Sequence, residues 1–489
     1  MKFDDFNKLK KELNRYEKNI SADPAFVSCN FANIVKDHPQ YIKIKVNILN
    51  KNYYQYFLYI VYEIIKLIYD FFLILTTSKN IISKSNNKIL FISHLTSSNA
   101  IGYKDSYYGS IKNFFFKKKF VTYYINHIKK KINNSKLGKK NYLNTNINIG
   151  LKNELKILKM QISLFFKILK NKNKNNNKFS KKIKYILLFE ILKLDTKINL
   201  RIYFHLNDII DKCNIKYIIT TCEGYPHEKI IFKLCSEKKI FSIGYQNIPL
   251  IKKQILINKN LNSYLPKMIW SSDKLSNIIL KNYYKKKIRV INIGSPRIFQ
   301  KKLIINSNIN KTITCLVVPE GFISETQDMF LLIKNFIENH NNKKIKFIFR
   351  IHPNLKNNKL HNHIKNYSKK NMQFIFSSND IFHDIKKSNV AIYRGSSAII
   401  NCVRNGLIPI YFANEEKIEI SPIGLNKFSE YLVKDSNDLS NNLNYLNSNK
   451  SFLRKKKNIM NFFKKNYTPV NKNILKKIEN KILSQQKLN

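Results

Sequence analysis

The sequence predicts an α/β protein built from two Rossmann-like domains with parallel sheets. Three observations carry that expectation. First, short apolar runs recur after residue 89, and helical segments follow most of them, the pattern of parallel strands with helical crossovers. Second, the alternation comes as two series, broken near 297–312. Third, Gly, Pro and Arg are scarce, at 11, 11 and 8 of 489 residues, against a usual ~7% Gly and ~5% Pro. Two of the eight Arg, with Pro353 and Gly395, stand between Arg350 and Ala398 at the ends of apolar runs. Strand ends are where α/β proteins bind phosphate-bearing ligands.

The elements follow in order. Residues 1–85 read as a helical extension ending in a polar linker at 78–88. The first domain, 86–300, opens with a strand at 89–93 and a loop at 94–109. A lysine-dense stretch then runs to about 184, with a low-complexity run at 170–178 that suits an exposed loop. Helical periodicity covers 154–169 and 186–213. A strand at 217–221 precedes a helix at 226–236, with Pro226 in its first turn. Strands at 240–245, 268–270 and 290–293 follow, with a helix at 273–284. The second domain, 301–426, has strands at 313–318, 345–350, 373–376, 390–393 and 408–412. Its helices are 325–339, 380–387 and 397–404, and residues 427–489 read as a polar helical tail.

The formal charge of +57 raises the question of nucleic acid. Lys, Asn, Ile, Phe and Tyr are inflated together while Ala, Gly, Pro and Arg are depleted, the joint skew of AT-rich coding. No nucleic-acid motif accompanies the charge, so no specific nucleic-acid partner is expected. A surface this cationic is still drawn to anionic lipid head groups. Six scattered cysteines without a C-x-x-C pair suit reduced, buried thiols, and the charged first residues carry no signal peptide. A cytoplasmic protein follows, peripheral on the inner face of the cytoplasmic membrane. Residues 53–77 are apolar and of spanning length, but Glu63, Lys66 and Asp70 fall within ~60° of one another on a helix. That stripe suits a helix docked on the core or lying in the membrane interface, not one that spans.

Two motifs carry the chemistry. Arg350-Ile351-His352-Pro353 follows an apolar strand, where Pro353 stops further pairing and His352 can hydrogen-bond a phosphate or carry a proton. Arg394-Gly395-Ser396-Ser397 ends another, with Gly395 allowing a tight turn and the serines opening a helix. A plain turn and an ordinary helix cap are the competing readings. Arg350 and Arg394 would compensate the charge of a diphosphate or phosphodiester. No D-x-D occurs, so a metal bridging nucleotide phosphates lacks obvious ligands and no metal is expected.

These motifs, their spacing and the two-domain pattern resemble bacterial GT-B glycosyltransferases of the sialyltransferase and capsule-polysaccharide type, over about 88–425. More narrowly, the chain looks like related surface carbohydrate (capsule or lipopolysaccharide) biosynthesis proteins. The resemblance implies two Rossmann-like domains facing an interdomain cleft, with helical N- and C-terminal extensions. It implies that His352, Ser396 and Ser397 contact the nucleotide of a donor, commonly a CMP-sugar. The same group carries an acidic pair before Gly whose carboxylate is the general base. Here Cys222-Glu223-Gly224 stands in that place, which makes Glu223 the candidate base and replaces the first acid by Cys. A turn or helix-capping acid is the alternative for Glu223, with His227 and Glu228 in reserve. Glu320 and Gly321 are expected beside the nucleotide; His94, Ser97 and Gln246 on the acceptor side; and the 294–297 segment as a hinge.

The expected activity is inverting, metal-independent glycosyl transfer from a nucleotide-activated sugar to a growing, lipid-linked surface glycan, with no cofactor. A CDP-polyol phosphotransferase of the teichoic-acid type, and a non-catalytic basic protein binding nucleic acid or membrane, are the alternatives.

Overall fold

The structure, a computed structural model, describes residues 3–20, 23–32, 53–75, 88–95, 105, 107–118, 120–126, 142–143, 148–171, 178–251, 254, 256–298, 312–340, 342–355, 359–414, 419–422, 424, 431–448 and 452–484. Of the expected segments, most of the 78–88 linker, most of the 94–109 loop and most of the 170–178 run lie outside them.

The first sheet holds β1 (Ile89–Leu95), β2 (Phe120–Asn126), β3 (Tyr142–Leu143), β4 (Tyr217–Thr221), β5 (Phe241–Gln246), β6 (Met268–Ser271) and β7 (Arg289–Asn292). The second holds β8 (Ile313–Val318), β9 (Ile345–Phe349), β10 (Phe374–Phe376), β11 (Val390–Tyr393), β12 (Ile408–Phe412) and β13 (Leu432–Val433). The spatial orders are β3-β2-β1-β4-β5-β6-β7 and β10-β9-β8-β11-β12-β13, with every pairing parallel. Each sheet winds outward from its first strand, returns, and winds the other way. That is the doubly wound order, and two such sheets make a GT-B fold. Central strands such as β4, β6 and β11 are buried along their whole length, which is why they read as largely apolar runs without alternation. The order reverses between β1 and β4 in one sheet and between β8 and β11 in the other. Crevices open at such points, beyond the carboxyl ends of the strands.

The helices are α1 (Phe3–Ile20), α2 (Pro24–Ser28), α3 (Tyr53–Leu75), α4 (Leu151–Lys170), α5 (Lys178–Leu192), α6 (Leu194–Cys213), α7 (Pro226–Glu237) and α8 (Lys274–Tyr284). The second half adds α9 (Ile323–His340), α10 (Lys359–Lys370), α11 (Ile381–Lys386), α12 (Ala398–Arg404), α13 (Ser436–Ser448), α14 (Phe452–Asn466) and α15 (Lys472–Ser484). Helices α1 and α2 bury Leu13, Tyr16 and Phe26 in one cluster with Ile157, Leu164 and Leu187 of α4 and α5. No described helix is long and apolar enough to cross a membrane. All six cysteines are buried and none forms a disulfide.

Several elements depart from the sequence expectation. Strands β2 and β3 lie in the lysine-dense stretch, where surrounding charge hides their short apolar runs. The helix expected at 186–213 is two, separated at Lys193, whose extended backbone (φ −64°, ψ 148°) ends the turn. Buried residues continue on both sides of that break, so the apolar period runs through it.

The tail also differs from a plain helical extension. It donates β13 to the second sheet, and Phe463 and Tyr467 enter that domain's core. The chain then crosses back. Val470, Leu475 and Ile478 pack in the first domain's core with Tyr245 and Trp270. Ser295 N–H donates to Thr468 O at 3.1 Å, and Asn471 N–H donates to Ile293 O at 2.8 Å. Gly294 makes the crossing possible. Its φ is +80°, and a Cβ there would lie 2.2 Å from Pro469 O.

Candidate active site

In the second domain three strand ends converge. The turn after β8 carries Glu320 and Gly321, the segment after β9 carries His352 and Pro353, and the segment after β11 carries Gly395, Ser396 and Ser397. Gly321 lies against the imidazole, since a Cβ at that position would sit 2.9 Å from His352 Nδ1. Gly395, at φ +78°, lies against Glu320, with a would-be Cβ 2.6 Å from Oε2. The two glycines therefore let three loops close on one another. Leu355 N–H donates to His352 O at 2.9 Å, and exposed Pro353 starts a short 3-10 turn. Burial and the positive charge of Arg297 push the His352 pKa down, so the ring is neutral at neutral pH. Ser396 is buried; Ser397 precedes α12 without a side-chain capping bond, which argues against the ordinary-cap reading.

The two motif arginines are corrections to the sequence expectation. The Arg394 side chain is buried, with Nε donating to Glu325 Oε2 at 2.6 Å and Nη1 donating to Tyr411 Oη and Phe412 O. Arg350 Nη1 donates to Asp384 Oδ2 at 3.0 Å and to Asn379 O. Each guanidinium already faces a carboxylate, so neither is the uncommitted charge that a phosphate needs. Their role is to hold the loops after β9 and β11.

Across the cleft, Glu223 follows β4. It is 5% exposed, and its Oε1 accepts from Asn247 Nδ2 at 3.1 Å. Burial, then the neighbouring Glu228 charge, raise its pKa to about 7, against the lowering pull of Arg297 and the Asn247 bond. Glu228 takes the capping role that was the competing reading for Glu223. One of its oxygens accepts from the backbone N–H groups of Glu223, Gly224 and Tyr225 at 2.8–2.9 Å. The cap therefore does not use the Glu223 carboxylate. Cys222 is wholly buried beside Gly244 and Phe232, so the place of the missing first acid is a core position here.

The acceptor-side expectations fare unevenly. His94 ends β1 and shares 3.0 Å with Thr221 Oγ1, its ring against those of Tyr107 and His227. Its neighbours His227 and Glu228 bring three potential metal-ligand atoms within 4.8 Å of one another. Gln246 is a scaffold residue, not an acceptor contact: its amide nitrogen donates to Ile248 O and its oxygen accepts from Ser272 N–H. The next residue, Asn247, is the one at the cleft. Ser97 lies outside the described residues.

Arg297 is the residue that sequence reasoning missed. Its charge lowers the pKa of both Glu223 and His352, so it lies within electrostatic reach of each. The guanidinium lies 5.3 Å over the Tyr107 ring, and Asn401 Nδ2 donates to the Arg297 carbonyl at 2.9 Å. A cavity of about 480 Å³ opens here between the domains. Asp105, Asn247 and Ser272 wall it from the first domain, Ser397 and Asn401 from the second, with Arg297 at the junction. Glu223 and His352 do not line the cavity themselves; Glu223 is tied to its wall through Asn247.

No protein-family model and no curated protein matches this sequence. Among solved structures, a putative UDP-N-acetylglucosamine 2-epimerase from Listeria monocytogenes aligns with 10% identity and a TM-score of 0.48, over 82% of this chain and 98% of that one. The glycotransferase of kitacinnamycin aligns at 8% identity and 0.45, over 77% and 95%. The wall teichoic acid polymerase TagF aligns at 10% and 0.41, over 88% and 98%. These are distant likenesses of architecture alone.

Proposed function

We propose that this chain is an inverting glycosyltransferase that moves a sugar from a nucleotide donor, with a CMP-sugar favoured, to a bacterial surface glycan. One observation carries the reading. A buried carboxyl with a pKa raised to about 7, Glu223, and the imidazole of His352 both feel the charge of Arg297, which lines the cavity between the domains. Glu223 follows β4, at the order reversal of its sheet, and His352 follows β9, the strand beside β8 at the reversal of the other.

The chemistry follows from the protonation states. A general base works best when its pKa lies near the operating pH. Glu223 takes the proton of the acceptor hydroxyl as that oxygen bonds to the anomeric carbon, and the bond from carbon to phosphate oxygen breaks. The negative charge gathers on the leaving phosphate. Arg297 supplies the opposing charge, Ser397 a hydroxyl, and neutral His352 an N–H donor. With no D-x-D in the sequence, this cation takes the part a divalent metal plays elsewhere. The acceptor is a lipid-linked glycan, reached on the cytoplasmic side of the inner membrane.

A nucleotide panel tests the reading. CMP, CDP, UDP and GDP are screened by thermal shift, and nucleotide release is then measured with donor and a membrane acceptor fraction in EDTA. At least one nucleotide stabilises the protein, and His352→Ala and Ser397→Ala abolish release. No shift with any of the four sinks the proposal, and a product heavier by a phosphoryl-polyol replaces it with phosphotransfer.

A further inference from the structure

Helix α3 has its polarity reversed. Along a helix at 100° per residue, Tyr59, Glu63, Lys66 and Asp70 occupy one arc of roughly 60°, and this arc is the one turned inward. Glu63 is buried and accepts from Lys66 at 3.1 Å. Asp70 is paired with Arg201 and Lys197 of α6, and the same two cations reach Glu154 of α4. The remaining face carries Leu58, Ile65, Ile68 and Phe72, each half or more exposed. A helix with charges in and aliphatics out has no stable place in water.

Helix α4 repeats the arrangement beside it. Glu154, Ile157, Gln161, Leu164 and Ile168 are buried. Leu155, Leu158, Ile162 and Phe166 point outward, at 43–52% exposure, in a stripe about 80° wide with Leu151 and Leu169. Exposed Lys152, Lys156, Lys159 and Lys170 run along one flank of that stripe. One buried charge cluster, Asp70–Arg201–Glu154–Lys197, thus ties two helices whose apolar faces are both turned away from it.

We propose that the outward faces of α3 and α4 form a docking surface for an anionic lipid bilayer. The helices would lie in the plane of the interface, aliphatic side chains among the acyl chains and the lysine flank among the head groups. Charge selects this occupant. A second copy of the chain would bring the same lysine row and the same +57 excess against itself, whereas phosphatidylglycerol neutralises it. The inference stands apart from the reaction proposed above and survives its failure.

The test uses the full chain and sedimentation with vesicles of phosphatidylcholine alone or with 30% phosphatidylglycerol. The wild type binds the anionic vesicles at least tenfold more tightly, and 0.5 M NaCl weakens the difference. Leu158→Glu/Ile162→Glu on α4 and Ile65→Glu/Ile68→Glu on α3 each lower binding at least tenfold, with the circular dichroism spectrum unchanged. Should an apolar-face variant fail to fold, Lys152→Glu/Lys156→Glu/Lys159→Glu leaves the aliphatic stripe intact and still loses preference for anionic vesicles. Equal binding to both vesicle types, no binding, or full binding by the folded variants overturns the proposal. So does sedimentation equilibrium showing a wild-type dimer that the glutamate variants convert to monomer.

Discussion

Asn247 Nδ2 donates to Glu223 Oε1 at 3.1 Å, and with the charge of Arg297 it opposes the burial and the Glu228 charge that raise the carboxyl's pKa to about 7. The carboxyl therefore sits close to half-ionised at neutral pH. Function and stability pull on it in opposite directions.

Glu223→Gln separates the two. Activity falls by roughly 10²–10⁴-fold, the usual worth of a general base. Stability moves the other way. The folded pKa is about 7 against an ordinary 4.5, so the buried carboxyl carries no folding penalty below about pH 4.5. As pH rises from about 4.5 to 7 the wild type loses stability, by about 3 kcal/mol in all, and the loss levels off above 7. The glutamine variant lacks that penalty. Urea unfolding of both proteins at pH 5 and pH 8 should show a gap that is wider at the higher pH.

Arg297→Met and Glu228→Gln should move the acid limb of the pH–rate profile in opposite directions. Arg297 lowers the Glu223 pKa and Glu228 raises it. Losing the cation shifts the limb to higher pH, and neutralising Glu228 shifts it lower. The arginine variant also lets the His352 pKa climb toward its ordinary value. Rates measured from pH 5 to 9 check both, and limbs that move together would refute the assignment of Glu223.

The two glycines of the second domain make a contrasting pair. Gly321→Ala pushes a methyl into the His352 ring, 2.9 Å from Nδ1. A displaced catalytic group of this kind costs roughly 10²-fold in rate, with little change in melting temperature. Gly395→Ala meets both positive φ and the Glu320 carboxylate. Its cost is structural, about 1–2 kcal/mol from the backbone alone. Steady-state kinetics beside thermal melts distinguishes the two.

Glu228→Ala removes the acceptor shared by three N–H groups at the start of α7. Each orphaned buried donor costs about 1–3 kcal/mol, so the loss exceeds that of any conservative core change here. Differential scanning calorimetry against Glu228→Gln, which retains an acceptor oxygen, measures the capping share.

Most strands of both sheets were readable in the sequence because parallel strands are buried on both faces and stay largely apolar, as in β11 and β12. The convergence of His352, Gly321 and the Ser397 loop follows from strand-end positions alone. Charge partners did not. Arg394 looks like a phosphate ligand until Glu325, 69 residues earlier, is seen beside it. Arg297 looks like a hinge residue because its neighbours come from segments 74 residues before and 55 after. Strand β2 was lost among lysines that say more about coding than about folding.

The returning tail sets a schedule. The first sheet is complete once residue 292 has been made, yet its core also needs Val470, Leu475 and Ile478. On a ribosome adding about 5–20 residues per second, that face waits on the order of ten seconds or longer, with Tyr245 and Trp270 short of their final neighbours. The domain synthesised first is finished last, and a nascent chain stalled before residue 470 would offer a greasy, half-closed sheet to chaperones.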